Sequence, residues 1–262
     1  MAQQVDWAVG KPGVEDVLLS AEAETAAYFG QIRKAREFFR QAIFSADRME
    51  EKETAASFEA DAALRAGIYG NAEEARQHVE AALTPSTGRQ VRFITALSLA
   101  FAGDVGRAQT LAEDLAKDFP ETTVVKIIFL PAITAQLALT GHDPSKAIEA
   151  LKIAAPFELG QPGDSSITPS LYPVYVRGEA YLAARQGSDA AAEFPKILDH
   201  PGVVVNEPIG ALAHLGLARA YVLQGEKVKA REAYRDFLLL WKDADPDIPI
   251  LLAAKSEYAE VQ

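Results

Sequence analysis

The chain has 262 residues, a net charge of −11, 49% apolar and 24% charged residues, and no cysteine. Disulfides, thiolate metal sites and cysteine nucleophiles are thereby excluded, and the acidic balance argues against a polyanion such as nucleic acid as the main ligand. The apolar share is enough for a packed core, and abundant alanine with few β-branched runs makes helix the expected state.

The opening "MAQQVDWAVGKPG" has no apolar signal-peptide core, and its abrupt start reads as a piece of a longer protein. "GKPG" at Gly10–Gly13 lacks the earlier glycine and the Ser/Thr of a phosphate loop and reads as a turn. "AEAETAAYFGQIRKAREFFRQAI" follows, with Ala23, Ala26, Gly30, Ala35 and Phe39 at steps that return later. Its basic residues Arg33, Lys34, Arg36 and Arg40 read as a solvated helix face. "AALRAGIYGNAEEARQHVEAAL" repeats the steps with Ala63, Ala66, Gly70, Ala75 and Val79. "ALSLAFAGDVGRAQTLAEDLAKDFP" gives Ala96, Leu99, Gly103, Ala108 and Ala112.

The longest apolar run, "VVKIIFLPAITAQLAL", holds Lys126, Pro131 and Gln136 and falls short of a membrane span. It leads into Ala135, Ala138, Ala147 and Leu151, with Gly141 displaced by one from the usual place. The segment "LGQPGDSSITP" is expected to be a loop whose Ser165, Ser166 and Thr168 are exposed to phosphorylation. Next come Gly178, Tyr181, Ala190 and Phe194, with Pro195 expected to kink its helix. The last unit has Ala218, Tyr221, Gly225, Ala230 and Tyr234. "SADRMEEKE" and "DHPGVVVNEP" read as loops between units. Asp245, Pro246 and Asp247 read as a helix stop and an N-cap for a last helix over 248–261.

The recurring alanines are Ala35, Ala75, Ala108, Ala147, Ala190 and Ala230, and the units fall near 16–47, 56–86, 89–120, 128–159, 171–201 and 211–245. Each unit reads as two antiparallel helices. Small residues let the backbones approach, an aromatic fills the gap between hairpins, and glycine supplies the left-handed turn. An alanine-rich bundle with chance spacing does not account for the same internal steps in copy after copy. The pattern small-x2-Tyr, then Ala-x3-aromatic, then Pro resembles the tetratricopeptide repeat. That resemblance implies an all-α, right-handed superhelix of about six hairpins with a capping helix, a single domain over 1–262, and a shape longer than a globule of this length.

A narrower resemblance, over nearly the whole chain, rests on "WAVGKPGVEDVLLSAEAETAAYFGQIRKAREFFRQAI", "AAPFELG", "SLYPVYVRGEAYLA", "KILDHPGVVVNEPIGALAHLGLARAY" and "FLLLWKDADPDIPILLAAKSEY". These stretches are similar to the C-terminal repeat regions of bacterial serine/threonine protein kinases and winged-helix regulators. The resemblance implies a non-catalytic interaction or scaffold module of a signalling protein, in the cytoplasm, or in the periplasm if a membrane helix lies upstream. A sensor of peptides or small ligands is the alternative.

No catalytic constellation emerges. "HRD", "DFG" and a Ser in GxSxG are absent, the four histidines (His78, His142, His200, His214) show no metal-ligand spacing, and "DADPDIP" lacks the calcium-loop pattern. Neither a cofactor nor a metal is expected. In a hairpin stack the first helices line the concave face. Helical spacing then nominates Phe93, Leu97, Phe129, Gln136, Tyr172, Tyr175, Glu179, Leu182, Leu212, Leu215, Arg219 and Val222 as the groove for a protein or peptide partner. This surface lacks the Lys/Asn/Arg cluster that clamps a peptide carboxylate. The oligomeric state is left open.

Overall fold

Alanine-rich sequence with glycine punctuation folds as expected into helices and tight turns. The computed structural model of the chain describes residues 4, 7–11, 13–160 and 171–261, and no strand occurs among them. Five hairpins come first: α1 (Glu15–Tyr28) with α2 (Ile32–Arg48), α3 (Lys52–Ile68) with α4 (Ala72–Leu83), α5 (Arg89–Phe101) with α6 (Val105–Asp118), α7 (Leu130–Thr140) with α8 (Pro144–Ala150), and α9 (Tyr172–Ala183) with α10 (Gly187–Leu198). One-turn α11 (Pro201–Val204) precedes the sixth hairpin, α12 (Pro208–Gln224) with α13 (Lys227–Leu240), and α14 (Pro249–Glu260) ends the array. The chain is an all-α helical-repeat solenoid.

The repeat is written most plainly in its turns. Five residues before each recurring alanine stands a left-handed residue: Gly30, Gly70, Gly103, His142, Arg185 and Gly225. The amide after it reaches back five residues each time, from Gln31 to the Ala26 carbonyl, Asn71 to Ala66, Asp104 to Leu99, Asp143 to Ala138, Gln186 to Tyr181 and Glu226 to Tyr221, at 2.8–3.0 Å. These are Schellman closures, which satisfy carbonyls that a helix end leaves open. The fourth and fifth turns correct the expectation of glycine. His142 (φ 60°) and Arg185 (φ 58°) take the strained position, while Gly141 is right-handed. Gly187 instead opens α10, where a Cβ would come 2.8 Å from Leu223 and 3.0 Å from the Ala220 carbonyl.

All six recurring alanines are buried. Phe194 shows why small residues are needed on the facing helices. Its ring lies between Gly178 of α9 and Gly216 of α12, and an added Cβ would meet the ring at 2.7 Å and 2.3 Å. Pro195, one residue on, does not end α10, which continues to Leu198. Pro131 has a visible consequence: the five residues Val125–Phe129 before α7 form a π-helical turn, the ladder adjusting where proline offers no amide. "SADRMEEKE" is mostly helix rather than loop, since α2 runs to Arg48 and α3 starts at Lys52. "DHPGVVVNEP" contains α11, and Ser165, Ser166 and Thr168 lie outside the described residues.

The two ends of the array meet, which the repeat pattern did not announce. The Asp245 amide donates to the Gly30 carbonyl at 3.0 Å, and the Trp241 indole N–H to the Tyr28 carbonyl at 2.9 Å. Trp241 is almost wholly buried and packs edge-on against Tyr69. Gly30 is needed here twice over: its φ is +71°, and a Cβ would sit 2.7 Å from Ala244 and 2.9 Å from Trp241. The Asn206 amide donates to the Thr25 hydroxyl at 2.9 Å, and α12 packs on α1. Asp245 and Asp247 are not N-caps of α14, whose N-cap is Ile248 with no side-chain cap. They bind Arg33 instead: the Arg33 amide donates to Asp245 at 2.8 Å and its guanidinium to Asp247 at 2.9 Å. The rest of the basic run is occupied as well, Arg36 by Glu74 and Arg40 by Glu37.

Candidate functional site: the inner cavity

The first helices of successive hairpins, α3, α5, α7, α9 and α12, pack in an inner row. With the ends joined, that row lines a half-open cavity of about 390 Å³. Six of the nominated groove residues line it: Gln136, Tyr175, Glu179, Leu212, Leu215 and Arg219. Ile68, Phe101, Leu139 and Ala183 complete the apolar wall, Thr140 adds a hydroxyl, and Ile250 of α14 enters from the C-terminal end. Those six were not legible as lining residues. Ile68 and Phe101 are the last residues of their helices, and Ile250 belongs to a helix read only as a cap.

The other nominated residues sit elsewhere. Phe93 and Phe129 are buried and stacked on one another, ring centroids 3.9 Å apart, and Leu97 is wholly buried in the same core. Tyr172 is buried and donates its hydroxyl to Glu207 at 2.8 Å. These four build the wall from within and offer no surface to a ligand. Helical spacing picks out the inward face but cannot tell a residue covered by the next hairpin from one left open. Leu182 is half-buried and Val222 exposed, both outside the cavity lining.

Two charged systems flank this interior. In the first, Arg65 of α3 is surrounded by acids: Glu207 at 3.0 Å, Asp61 at 3.4 Å and Glu24 at 3.6 Å. Burial pushes the Glu24 carboxyl up to about 7, Arg65 opposing and Glu207 reinforcing the rise. Burial also raises Asp61, again against Arg65 and with both glutamates. Glu24 is on α1, Asp61 and Arg65 on α3, and Glu207 just before α12, so this cluster ties the closure of the ring. The spacing of Asp61 to Arg65 in "ADAALRAG" is a visible i, i+4 pair, but nothing local announces Glu24 or Glu207.

In the second system, Arg219 of α12 forms two parallel bonds to Glu257 of α14, both 2.9 Å, and the Tyr234 hydroxyl donates to the same carboxylate at 2.9 Å. Burial alone would raise the Glu257 carboxyl, but the bonds and charge of Arg219 and the Tyr234 hydroxyl hold it below the usual range. Glu179 of α9 is left over. Its carboxyl has no hydrogen-bond or ion-pair partner among the described residues, and burial raises its pKa, with Arg219 opposing and Glu257 adding. Burial also raises the Tyr175 hydroxyl, with Glu179 adding to the effect. Neither that hydroxyl nor the side-chain amide of Gln136 has a hydrogen-bond partner among the described residues.

A tetratricopeptide-repeat family model matches residues 175–248. The match runs from α9 to the segment before α14 and takes in Tyr175, Glu179, Leu212, Leu215 and Arg219 of the cavity wall. Tetratricopeptide repeats generally mediate contacts between proteins, which supports a protein partner for this chain. No curated protein compared with the chain matches it. Among the described residues, no helix is long and apolar enough to cross a membrane, and no group of side chains is placed to hold a metal ion. His214 is half-buried, and burial lowers its pKa against the pull of Asp236.

Proposed function

We propose that residues 1–262 act as one non-catalytic protein-interaction unit, and that a segment of the partner enters the inner cavity. The observation that carries this reading is the cavity itself. Its wall mixes apolar and polar side chains, it lies on the inner face of a helical-repeat array, and it holds polar groups with no hydrogen-bond partner among the described residues. Its setting as the repeat region of a bacterial, cytoplasmic signalling protein linked to a serine/threonine kinase rests on the sequence resemblance that covers nearly the whole chain. A coding sequence without a kinase domain joined to these residues would remove that link.

A site-specific photo-crosslinker tests the interaction. Placed at Gln136, inside the cavity, it is expected to capture a polypeptide. At Glu232, on the exposed side of α13, it is expected to capture none. Capture from both positions, or from Glu232 alone, would overturn the assignment of the inner face. The purified chain is expected to turn over no ATP, and turnover that persists through repurification would contradict the non-catalytic reading. A second reading, a small-ligand sensor coupled to a transcriptional regulator, is favoured by one observation: about 390 Å³ is within the ordinary size of small-molecule sites. Captured polypeptide that is displaced by other polypeptides and by no metabolite extract separates the two.

A further inference from the structure

The charges of the inner cavity do not cancel. Arg219 and Glu257 neutralise each other through two bonds. Glu179 remains, half-buried, with no partner among the described residues, in a chain of net charge −11. An unpaired carboxylate in a confined site is costly to keep, and a bound cation relieves that cost. An anionic ligand finds the reverse, because the one guanidinium within reach is already held by a carboxylate.

The acceptors narrow the kind of cation. Besides the Glu179 carboxylate, the cavity offers the Gln136 side-chain carbonyl and the Tyr175 phenol oxygen, neither paired among the described residues. An ammonium has three N–H donors and no acceptor, and it can turn them towards three separated acceptors. A guanidinium has five donors in a rigid plane and is best met by a carboxylate fork, which here is taken by Arg219 itself. Ile68, Phe101, Leu212, Leu215 and Ile250 supply the apolar wall for an aliphatic stem, and Phe101 and Tyr175 offer ring faces to a cation.

We infer that the inner cavity takes the side chain of a lysine presented by the partner polypeptide, its ammonium held by Glu179, Gln136 and Tyr175. The inference rests on the interaction reading above. It predicts a partner segment that carries lysine on its contacting face, complementary to the acidic charge of this chain.

The test uses the full chain, ¹⁵N-labelled, titrated with acetyl-Ala-Lys-Ala-amide. Parallel titrations replace lysine by arginine, norleucine or Nε-acetyl-lysine, and a further one uses n-butylammonium alone. Saturable shifts at the amides of Gln136, Tyr175 and Glu179 are expected with the lysine peptide, with binding at least about tenfold weaker for the other three peptides and for n-butylammonium. Glu179→Gln is expected to weaken the lysine peptide at least about tenfold, with its melting temperature unchanged. Ala183→Phe, which fills the lining without touching the charge, is expected to block binding as well and covers the case in which the first variant fails to fold.

Equal binding of norleucine or acetyl-lysine would overturn the requirement for charge. Equal binding of arginine would overturn the choice of ammonium. Equal or tighter binding of n-butylammonium would assign the site to a free amine and overturn the polypeptide source. Absence of shifts, or binding indifferent to both variants, would overturn the site. If the lysine series fails while the Gln136 crosslink persists, the cation is wrong and the interaction reading stands. If both fail, both readings go.

Discussion

Arg65 and Arg219 both stand on inner-row helices, both meet carboxylates, and they do different work. The Arg65 side chain is 4% exposed and is shared by three acids from three parts of the chain. Burial there raises the carboxyls of Glu24 and Asp61 against the pull of Arg65. The Arg219 side chain is 33% exposed and bonds to one acid, Glu257, while it acts on Glu179 through its charge alone, with no bond between them. The same ingredients thus give a clasp in one place and a vacancy in the other. What separates them is geometry: around Arg65 the converging ends of the array bury Glu24 and Glu207, and where the inner row stays apart Glu179 faces the cavity.

The sharpest way to break this comparison is to remove each arginine in turn. Arg65→Met strands Glu24, Asp61 and Glu207 without their cation, and breaking such a buried arrangement costs about 3–5 kcal/mol. Arg219→Met releases a half-exposed Glu257 that water can reach, and a cost of about 1 kcal/mol or less is expected. Urea denaturation of both variants checks this. Equal losses would show that the two clusters do not differ in kind.

Next in size is the packing that holds the fifth and sixth hairpins together. Gly216→Ala puts a methyl 2.3 Å from the Phe194 ring, and the crowding is expected to cost about 1–3 kcal/mol. Ala213, wholly buried on the same helix, is a control in the opposite sense: Ala213→Gly opens a small gap and adds backbone freedom, for a loss of about 1 kcal/mol. Thermal melts rank the two. A Gly216→Ala variant that melts like the parent would mean that Phe194 can move aside.

This contact also shows how much of the molecule could be read in advance. The alanines at 35, 75, 108, 147, 190 and 230 and the aromatic Phe194 were legible because hairpin packing imposes the same small-residue steps on each unit. Gly178 was legible for the same reason. Gly216 was not, because it touches a residue of the preceding hairpin and no step within its own unit requires it. The turns follow the same division. A left-handed residue five before the alanine is a rule of the backbone, but His142 and Arg185 obey it without glycine.

Spacing nominated six residues that line the candidate cavity, Gln136, Tyr175, Glu179, Leu212, Leu215 and Arg219. It also chose Phe93, Leu97, Phe129 and Tyr172, which the neighbouring helices cover. Glu257 and Ile250 escaped because they arrive on α14, and the folding of that helix towards the interior follows from the ring closure alone. Closure itself depends on contacts more than 200 residues apart, such as Trp241 with Tyr28. No local pattern encodes such a pairing.

Protonation sharpens the contrast further. Glu24 titrates at about 7 in the folded chain against an ordinary value of 4.5. Its raised value means that the folded state holds the proton more tightly than the unfolded one. The associated stability is full below about pH 4.5 and is lost as pH rises through about 7, a loss of about 3 kcal/mol by pH 8. The groups facing it are Arg65, Asp61 and Glu207, and Asp61 moves in the same direction. Glu24→Gln is therefore expected to stabilise the chain by about 1–2 kcal/mol at pH 8 and to do nothing at pH 4. Melts across that range decide it. A variant less stable than the parent at pH 8 would show that Glu24 is ionised and serves Arg65 as a true ion pair.

The smallest effect is expected at Glu179, and its smallness is informative. The group has no partner among the described residues to lose, so Glu179→Gln removes no bond. It keeps the shape of the side chain and removes a charge that burial disfavours. Because burial raises the Glu179 pKa, its penalty grows with pH in the same sense as that of Glu24. Glu179 is only half-buried, so the gain in stability at pH 8 is expected within about 0.5 kcal/mol. The melting curve then barely moves where the Glu24 variant shifts clearly. A loss of 1 kcal/mol or more in Glu179→Gln would mean that its carboxylate is already engaged within the fold, by Arg219 across the cavity. The vacancy that separates the two clusters would then not exist.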